Sequence, residues 1–398
     1  MDALDLRRAL VERLVVRRTA RSPSVVRALG DVPRHAFLPE ISPELAYADR
    51  SIALIVEEGT TLSSASQPSM IAEMLEQLDV QPGNRVLEIG TGSGYNAALL
   101  AYLAGPRGQV VSIDLDAGLV ERARSALRAT GFERVRVLHE DGAGGAPEWA
   151  PFDRIILTVA ADDIVDAWRA QLAPGGRLVL PLTLHALQES IAFEGHDPMR
   201  SVSIVGASFV ALRGSSAVVS HEIEVGANPV IRLRAGEPSS IDRDGVSLRL
   251  QSTPSFVPLE GIDVDDLWGG LDVWLDCHVP AAALAMADGS AEGTYVEDWL
   301  SVAHDDGFAT TIALCRDDAI ALFLRDRRGR IHLACYGAAD ELVGAARIAI
   351  AGWTARGRPS TRALRITAFA QTAPQFADTL IEKASVMLAL RWSFPSSG

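Results

Sequence analysis

Residues Arg85 to Ala101, RVLEIGTGSGYNAALLA, set a near-continuous apolar run against three glycines on alternate positions, Gly90, Gly92 and Gly94, followed by an Ala/Leu-rich stretch. A short apolar run closed by a turn signal reads as a strand buried on both faces, and the stretch after the glycines reads as a helix. A strand of that kind needs helices above and below it. This one stretch therefore predicts a layered, doubly wound α/β fold.

The neighbours that such a strand requires are present. Strand-like runs recur at Gln109 to Asp114, Val135 to His139, Arg154 to Val159 and Arg177 to Pro181. Helical patterns separate the first from the second, the second from the third and the fourth from the fifth, whereas the third link, GAGGAPEWAP, reads as loop. Glu189 to Phe193 and Ser208 to Leu212 follow without a helix between them, which predicts that the sheet ends in an antiparallel hairpin. Upstream, Leu4 to Val16 and Ser22 to Ala28 read as a helical N-terminal cap. The stretch from Val32-Pro33-Arg34 to Gln67-Pro68 reads as irregular, because prolines, Gly59 and a Ser/Thr cluster interrupt it, and Ser69 to Leu78 reads as a helix.

The 398 residues exceed what one core usually organises, so two domains are expected, 1–214 and 215–398. Beyond Arg213-Gly214-Ser215-Ser216 the rhythm changes to short runs such as Gly245 to Leu250 and a helix-like segment around Val296 to Ala303. A hairpin follows, of Ala319 to Leu324 and Ile331 to Tyr336, then a helix near Asp340 to Trp353 and a strand at Arg362 to Phe369, giving a C-terminal α+β domain. With 48% apolar and 22% charged residues the composition is that of a globular protein. A net charge of -14 argues against holding nucleic acid by phosphate neutralisation. Three scattered cysteines give no disulfide framework, and neither a signal-like start nor a membrane-length apolar run is present, so a cytoplasmic location without membrane attachment is expected. The oligomeric state is left open.

A helix N-terminus offers unpaired N–H groups to a polar ligand, and glycines there clear the approach. The dinucleotide fingerprint needs glycine at its sixth position, which here is Tyr95. The alternate spacing after Leu87-Glu88-Ile89 instead favours S-adenosylmethionine, with Glu88, Gly90, Thr91, Gly92, Ser93 and Gly94 as cofactor-binding candidates. Asp114 ends the next strand, where a carboxylate can accept from both ribose hydroxyls. Asp141-Gly142 ends the third, where the acid could accept from the adenine amino group and glycine lets the ring lie against the backbone.

The ordered set VPRHAFLPE, Tyr47-Ala48-Asp49-Arg50, Ser64-Ala65-Ser66-Gln67-Pro68, VLEIGTGSGY, PFDRIILT, LAPGGRLVLP and SFVAL resembles the protein-L-isoaspartate O-methyltransferase family over Leu6 to Gly214. The resemblance implies a loop of Thr-Ile-Ser-Gln-Pro type over the cofactor, with Ser66 as the catalytic serine and Ser64, Gln67 and Thr158 facing the substrate. It implies methyl transfer to an Asp or isoaspartyl carboxylate, whose ester closes to a succinimide. A carboxylate is already ionised at neutral pH, so no general base is required.

Three departures stand out: Ser64 replaces the family threonine within an altered loop, LTLHAL follows the fifth strand in place of glycines, and 215–398 has no counterpart in the compact repair enzymes. On these grounds the preferred reading is an extended form that tailors a ribosomally made peptide, with the C-terminal domain recognising the precursor. General isoaspartyl repair is the alternative. A nucleic-acid or small-molecule methyltransferase and a non-catalytic peptide binder are more distant. Cys277-His278 with His332 and Cys335 lacks zinc-ligand spacing, Asp263, Asp265 and Asp266 lack calcium-loop spacing, and Arg325 to Arg330 reads as a solvated turn that could instead grip an acidic peptide.

Overall fold

The computed structural model describes residues 2–58, 60–217, 221–288, 299, 301–302, 308–370 and 377–393. Helices α1 (Ala3–Val16), α2 (Pro23–Asp31) and α3 (Pro43–Ala46) form the N-terminal cap. Each is opened by a side chain that accepts a backbone N–H, Asp2 from Asp5, Ser22 from Val25 and Ser42 from Leu45, satisfying donors that the first turn leaves free. The stretch read as irregular contains an antiparallel hairpin, β1 (Ile52–Glu57) and β2 (Thr60–Ala65). Its register shifts between Ala53 and Val56, and such bulges break the two-residue alternation by which a strand is recognised. Helix α4 (Pro68–Leu78) follows, with proline at its first position.

The central layer then runs β3 (Arg85–Ile89), α5 (Tyr95–Ala104), β4 (Gln109–Asp114), α6 (Ala117–Ala129), β5 (Arg136–His139), β6 (Phe152–Leu157), α7 (Asp166–Gln171) and β7 (Leu172–Thr183). These strands are parallel in the order β5-β4-β3-β6-β7. Val86 and Leu87 are wholly buried because helices cover both faces of β3. The strand order reverses at β3, between β4 and β6, and open α/β sheets bind ligands at the carboxyl ends of strands at that switch point. Strand β8 (Gln188–Glu194) continues the sheet antiparallel to β7, and β9 (Met199–Ala207) follows antiparallel to β8. The last strand thus lies upstream of Ser208 to Leu212, which instead runs beside the tip of β6 through an Ala160 and Ala211 bridge.

The C-terminal region contributes β10 (Glu222–Val225), β11 (Ile231–Ala235), α8 (Arg243–Arg249), β12 (Ser255–Pro258), α9 (Val264–Asp266), α10 (Asp272–His278), β13 (Ala282–Asp288), β14 (Ser301–Val302), β15 (Phe308–Arg316), β16 (Ala319–Arg325), β17 (Ile331–Tyr336) and α11 (Asp340–Ala355). A second sheet has the order β10-β11-β13-β15-β16-β17-β12, with β14 beside β15. Gly245 to Leu250 lies mostly in helix α8, and Val296 to Ala303 falls largely outside the described residues. The chain then returns: β18 (Leu364–Phe369) pairs with β9, and β20 (Met387–Trp392) and β19 (Thr379–Glu382) extend the first sheet outward. The second sheet starts beyond residue 214, but 364–392 lie in the first sheet, so 215–398 is not one separate body. One hydrophobic core runs from Leu87 through α10 and α11 to Trp392. Trp274 Nε1 donates to the Ala349 carbonyl at 3.0 Å, fixing α10 to α11. Among the described residues no helix is long and apolar enough to cross a membrane.

Candidate functional site

The turn after β3 is built on backbone that other residues rarely adopt. Gly90 has φ +101°, and a Cβ there would stand 2.6 Å from Thr158 Oγ1, which donates to the Gly90 carbonyl at 2.6 Å. The Ile113 carbonyl accepts from the N–H groups of Gly90 and Thr91, at 2.8 and 3.0 Å, so the turn is pinned to the end of β4. Gly94, also in left-handed conformation, opens α5. The carboxylate of Asp114 takes the Gly92 N–H at 2.9 Å and the Asp116 N–H at 3.0 Å, which fixes it at the strand end. The β1–β2 hairpin forms a roof over this floor: a Cβ on Gly92 would sit 3.6 Å from Leu54 Cδ1 and 3.7 Å from the Ser64 carbonyl.

Glu88 lies under the turn and away from the cavity. It is fully buried, accepts from Asn96 Nδ2 at 2.8 Å and from Ser112 Oγ at 2.5 Å, and Ser112 shares a 2.6 Å hydrogen bond with Thr91. Burial pushes its carboxyl up to about 7, against the pull of those two donors. Ser93 accepts, at 3.4 Å, from the N–H of Tyr95 at the start of α5.

Asp141 accepts from the Ala143 N–H at 3.0 Å and from the Ser215 N–H at 2.7 Å, joining the loop after β5 to the start of the C-terminal region. Burial raises its carboxyl, but those N–H groups outweigh it and hold the group below the usual carboxylate range. Neighbouring Gly142 packs so closely that a Cβ would meet Ile89 Cγ2 at 2.4 Å, and its carbonyl accepts from the buried Trp168 Nε1 at 2.9 Å.

The Ser-Gln-Pro segment is held by a residue that spacing alone did not single out. Arg34 is wholly buried, donating through Nε to the Ala46 carbonyl at 2.9 Å and through Nη2 to the carbonyls of Ser66 at 2.9 Å and Ala65 at 3.3 Å. Its guanidinium also stands 5.2 Å from the Tyr95 ring centroid, which links the loop to the first residue of α5. The Ser66 hydroxyl has no hydrogen-bond partner among the described residues, and Gln67 is exposed just before α4. Asp49 accepts from the Ser69 N–H at 2.9 Å and pairs with Arg17, tying the cap to the helix that starts at Pro68. His35 and Tyr47 share a 2.8 Å hydrogen bond inside the cap.

Ser64, Gly90, Gly92, Asp114, Gly142 and Thr158 line one cavity, completed by the segment from Val210 to Arg213. Glu88, Thr91, Ser93, Gly94, Ser66, Gln67 and Asp141 surround that lining without forming part of it. The residues fit a polar nucleoside ligand: backbone bare of side chains forms the floor, a carboxylate stands at the end of β4, and glycine faces the slot after β5. The zinc set does not gather, since Cys277 and His278 lie on α10 and His332 and Cys335 on β17. Asp263 and Asp266 form a reciprocal cap on α9, with Arg358 2.8 Å from Asp266.

The family model described as protein-L-isoaspartate(D-aspartate) O-methyltransferase matches residues 5–216. The protein-L-isoaspartate O-methyltransferase of Methanothermobacter thermautotrophicus is 41% identical over 214 residues, 53% of this chain and 96% of the relative. That of Roseiflexus sp. is 39% identical over 219 residues, 54% of this chain and 96% of the relative. A solved structure named protein-L-isoaspartate O-methyltransferase matches with a TM-score of 0.53 and 21% identity over 98% of this chain and all of that one, a likeness of fold that does not stop at residue 214.

Proposed function

The chain belongs to the protein-L-isoaspartate(D-aspartate) O-methyltransferase family, the S-adenosylmethionine-dependent O-methyltransferases, and from that premise we propose that it methylates isoaspartyl carboxylates in polypeptides as a general repair enzyme. The observation that carries this reading is the meeting of Ser64, from the hairpin roof, with Gly90, Asp114 and Thr158 around one cavity at the switch point of the sheet. The preference for tailoring a dedicated ribosomal peptide finds no support in the relatives, whose names are those of isoaspartyl methyltransferases. A solved structure shares the fold over 98% of the chain, the C-terminal region included.

Bound S-adenosylmethionine would supply an electrophilic methyl group. Asp114 would hold its ribose, the N–H groups opening α5 its polar end, and Gly142 would let its adenine lie against the backbone, with Asp141 and Glu88 shaping the slot and the turn from behind. Ser66, with Gln67 beside it, would orient the acceptor carboxylate by hydrogen bond, and Thr158 and Ser64 would bound the space beside it. The hairpin roof would exclude water, which favours a reaction in which an anion and a cation cancel. The resulting ester would be displaced by the following backbone nitrogen, closing a succinimide with loss of methanol.

The first test pairs two short peptides, one isoaspartyl and one with ordinary Asp. Addition of one methyl to the isoaspartyl peptide alone, read by mass, is the expected result, and addition to neither overturns the proposal. Ser66→Ala should lower turnover about 10- to 100-fold while S-adenosylhomocysteine still raises the melting temperature. Full turnover in that variant would remove Ser66 from the reaction. Asp114→Ala should weaken S-adenosylhomocysteine about tenfold or more, for loss of charge-assisted hydrogen bonds, as read by calorimetry.

A further inference from the structure

Strand β12 closes one edge of the second sheet, pairing with β17 on one side only. The Leu259 N–H bonds the Ile331 carbonyl at 3.0 Å, and strand parity then turns Val257 toward β17 and the main-chain groups of Phe256 outward. Pro258 shares that outward phase, and without an N–H it is tolerated only at such an edge. Phe256 is 60% exposed, with its ring set edge-on to His332 at 5.2 Å between centroids. Phe256 and His332 line a groove of about 680 Å³ whose far wall is the turn between β16 and β17.

That turn carries Arg325, Arg327, Arg328 and Arg330 on exposed positions. Asp326 folds back onto it, accepting from the Arg328 N–H at 2.8 Å, the Arg330 N–H at 2.9 Å and Arg330 Nε at 2.8 Å. The acid thus shapes the turn and neutralises Arg330, while the side chains of Arg325, Arg327 and Arg328 have no ion-pair partner among the described residues. This local concentration of positive charge contrasts with the chain's net charge of -14. Charge complementarity of this kind selects a partner and sets its register.

We infer that the groove between β12 and the arginine turn docks an extended acidic segment of the polypeptide substrate. The segment lies along the open edge, exchanges main-chain hydrogen bonds with Phe256, sets an apolar side chain against the Phe256 ring and presents carboxylates to Arg327 and Arg328. The inference rests on the methyltransferase reading for the identity of the occupant as substrate polypeptide. It gives the C-terminal region a concrete task, which is to hold flanking chain while an isoaspartyl residue reaches the site.

The test uses the full chain and a fluorescent peptide alternating Glu with Val and Thr, followed by anisotropy. The expected result is saturable binding that weakens with salt and falls at least tenfold in Arg327→Glu/Arg328→Glu, as removal of two complementary charges requires. Phe256→Ser should also weaken it. Binding unchanged in the charge-reversed variant, or equal for a Lys-substituted peptide, overturns the inference. Equal or tighter binding of a single-stranded oligonucleotide at the same arginines overturns it in favour of a general polyanion site. Methylation of a short neutral isoaspartyl peptide is read in parallel. It should be unchanged in the variant, and its absence in the wild type would instead strike the proposed function.

Discussion

Arg34→Met should lower methylation at least 100-fold and cost about 2 to 5 kcal/mol of stability, because a buried donor is lost from three carbonyls at once. Those carbonyls, of Ala46, Ala65 and Ser66, come from α3, from the end of β2 and from the loop that follows it. Each would be left unpaired in a place water reaches poorly, although release from burying a charge offsets part of the loss. The catalytic cost has a separate origin: with the Ser66 backbone freed, its hydroxyl would no longer be fixed beside the cavity, and an ångström of displacement is enough to cost orders of magnitude in rate. Arg34→Lys should recover part of the stability and little of the rate, since one ammonium cannot reproduce the fork that reaches Ala46 and Ser66 in different directions. Urea unfolding and single-turnover kinetics on both variants separate the two effects. Retention of wild-type turnover by Arg34→Met would show that the loop holds its place without the guanidinium.

The second large effect concerns pH. Between the first sheet and α10, Glu189 on β8 lies among Asp272 and Asp276, with His185, Cys277 and Lys383 also facing the cluster. Asp276 is engaged by the N–H groups of His185 and Ala186, and the Lys383 ammonium is engaged by the Leu184 carbonyl. Oε2 of Glu189 and Oδ1 of Asp272 are buried without a partner. Burial, reinforced by the neighbouring acids, pushes Glu189 well above the usual range and Asp272 up to about 7. A carboxyl whose folded-state value is raised stabilises the fold below its unfolded value, and that stability is lost as pH rises through the folded value. Stability should therefore fall from about pH 5 to pH 8, with Glu88 adding to the same trend. Glu189→Gln keeps the shape and removes the titration, so it should be more stable than the wild type at pH 8 and lose less stability between pH 5 and pH 8. Urea midpoints at the two pH values give the answer. Parallel profiles for variant and wild type would mean that Glu189 is ionised in the fold throughout.

Much of the central layer was legible because parallel strands and their helices leave local patterns. The β3 turn, Asp114 and Gly142 could be placed from strand ends alone, and the cavity gathers them with Thr158. What sequence did not disclose depends on distant partners. Arg34 stands in VPRHAFLPE, but its task emerges only when Tyr95, Ala46 and Ser66 are seen around it. Glu88 lies near the end of an apolar strand, two residues before the first glycine, and nothing local tells that Asn96 and Ser112 take its carboxylate from below. The hairpin roof was hidden by its bulges. The pairing of β18 with β9 was hidden by the distance between them along the chain, since periodicity carries no record of which strand lies alongside.

That pairing also sets an order of events at the ribosome. Residues up to Ala207 can assemble the parallel layer and its antiparallel extension as they emerge, but the outer side of β9 then waits for a strand more than 150 residues downstream. An unpaired edge is a template for any other chain that meets it, and joining distant strands is slow because the intervening loop must first be closed. The nascent protein thus passes through an interval in which its methyltransferase layer is formed and its flank is open. The length of that interval is set by translation of the second sheet, so slower synthesis lengthens the exposure of that edge.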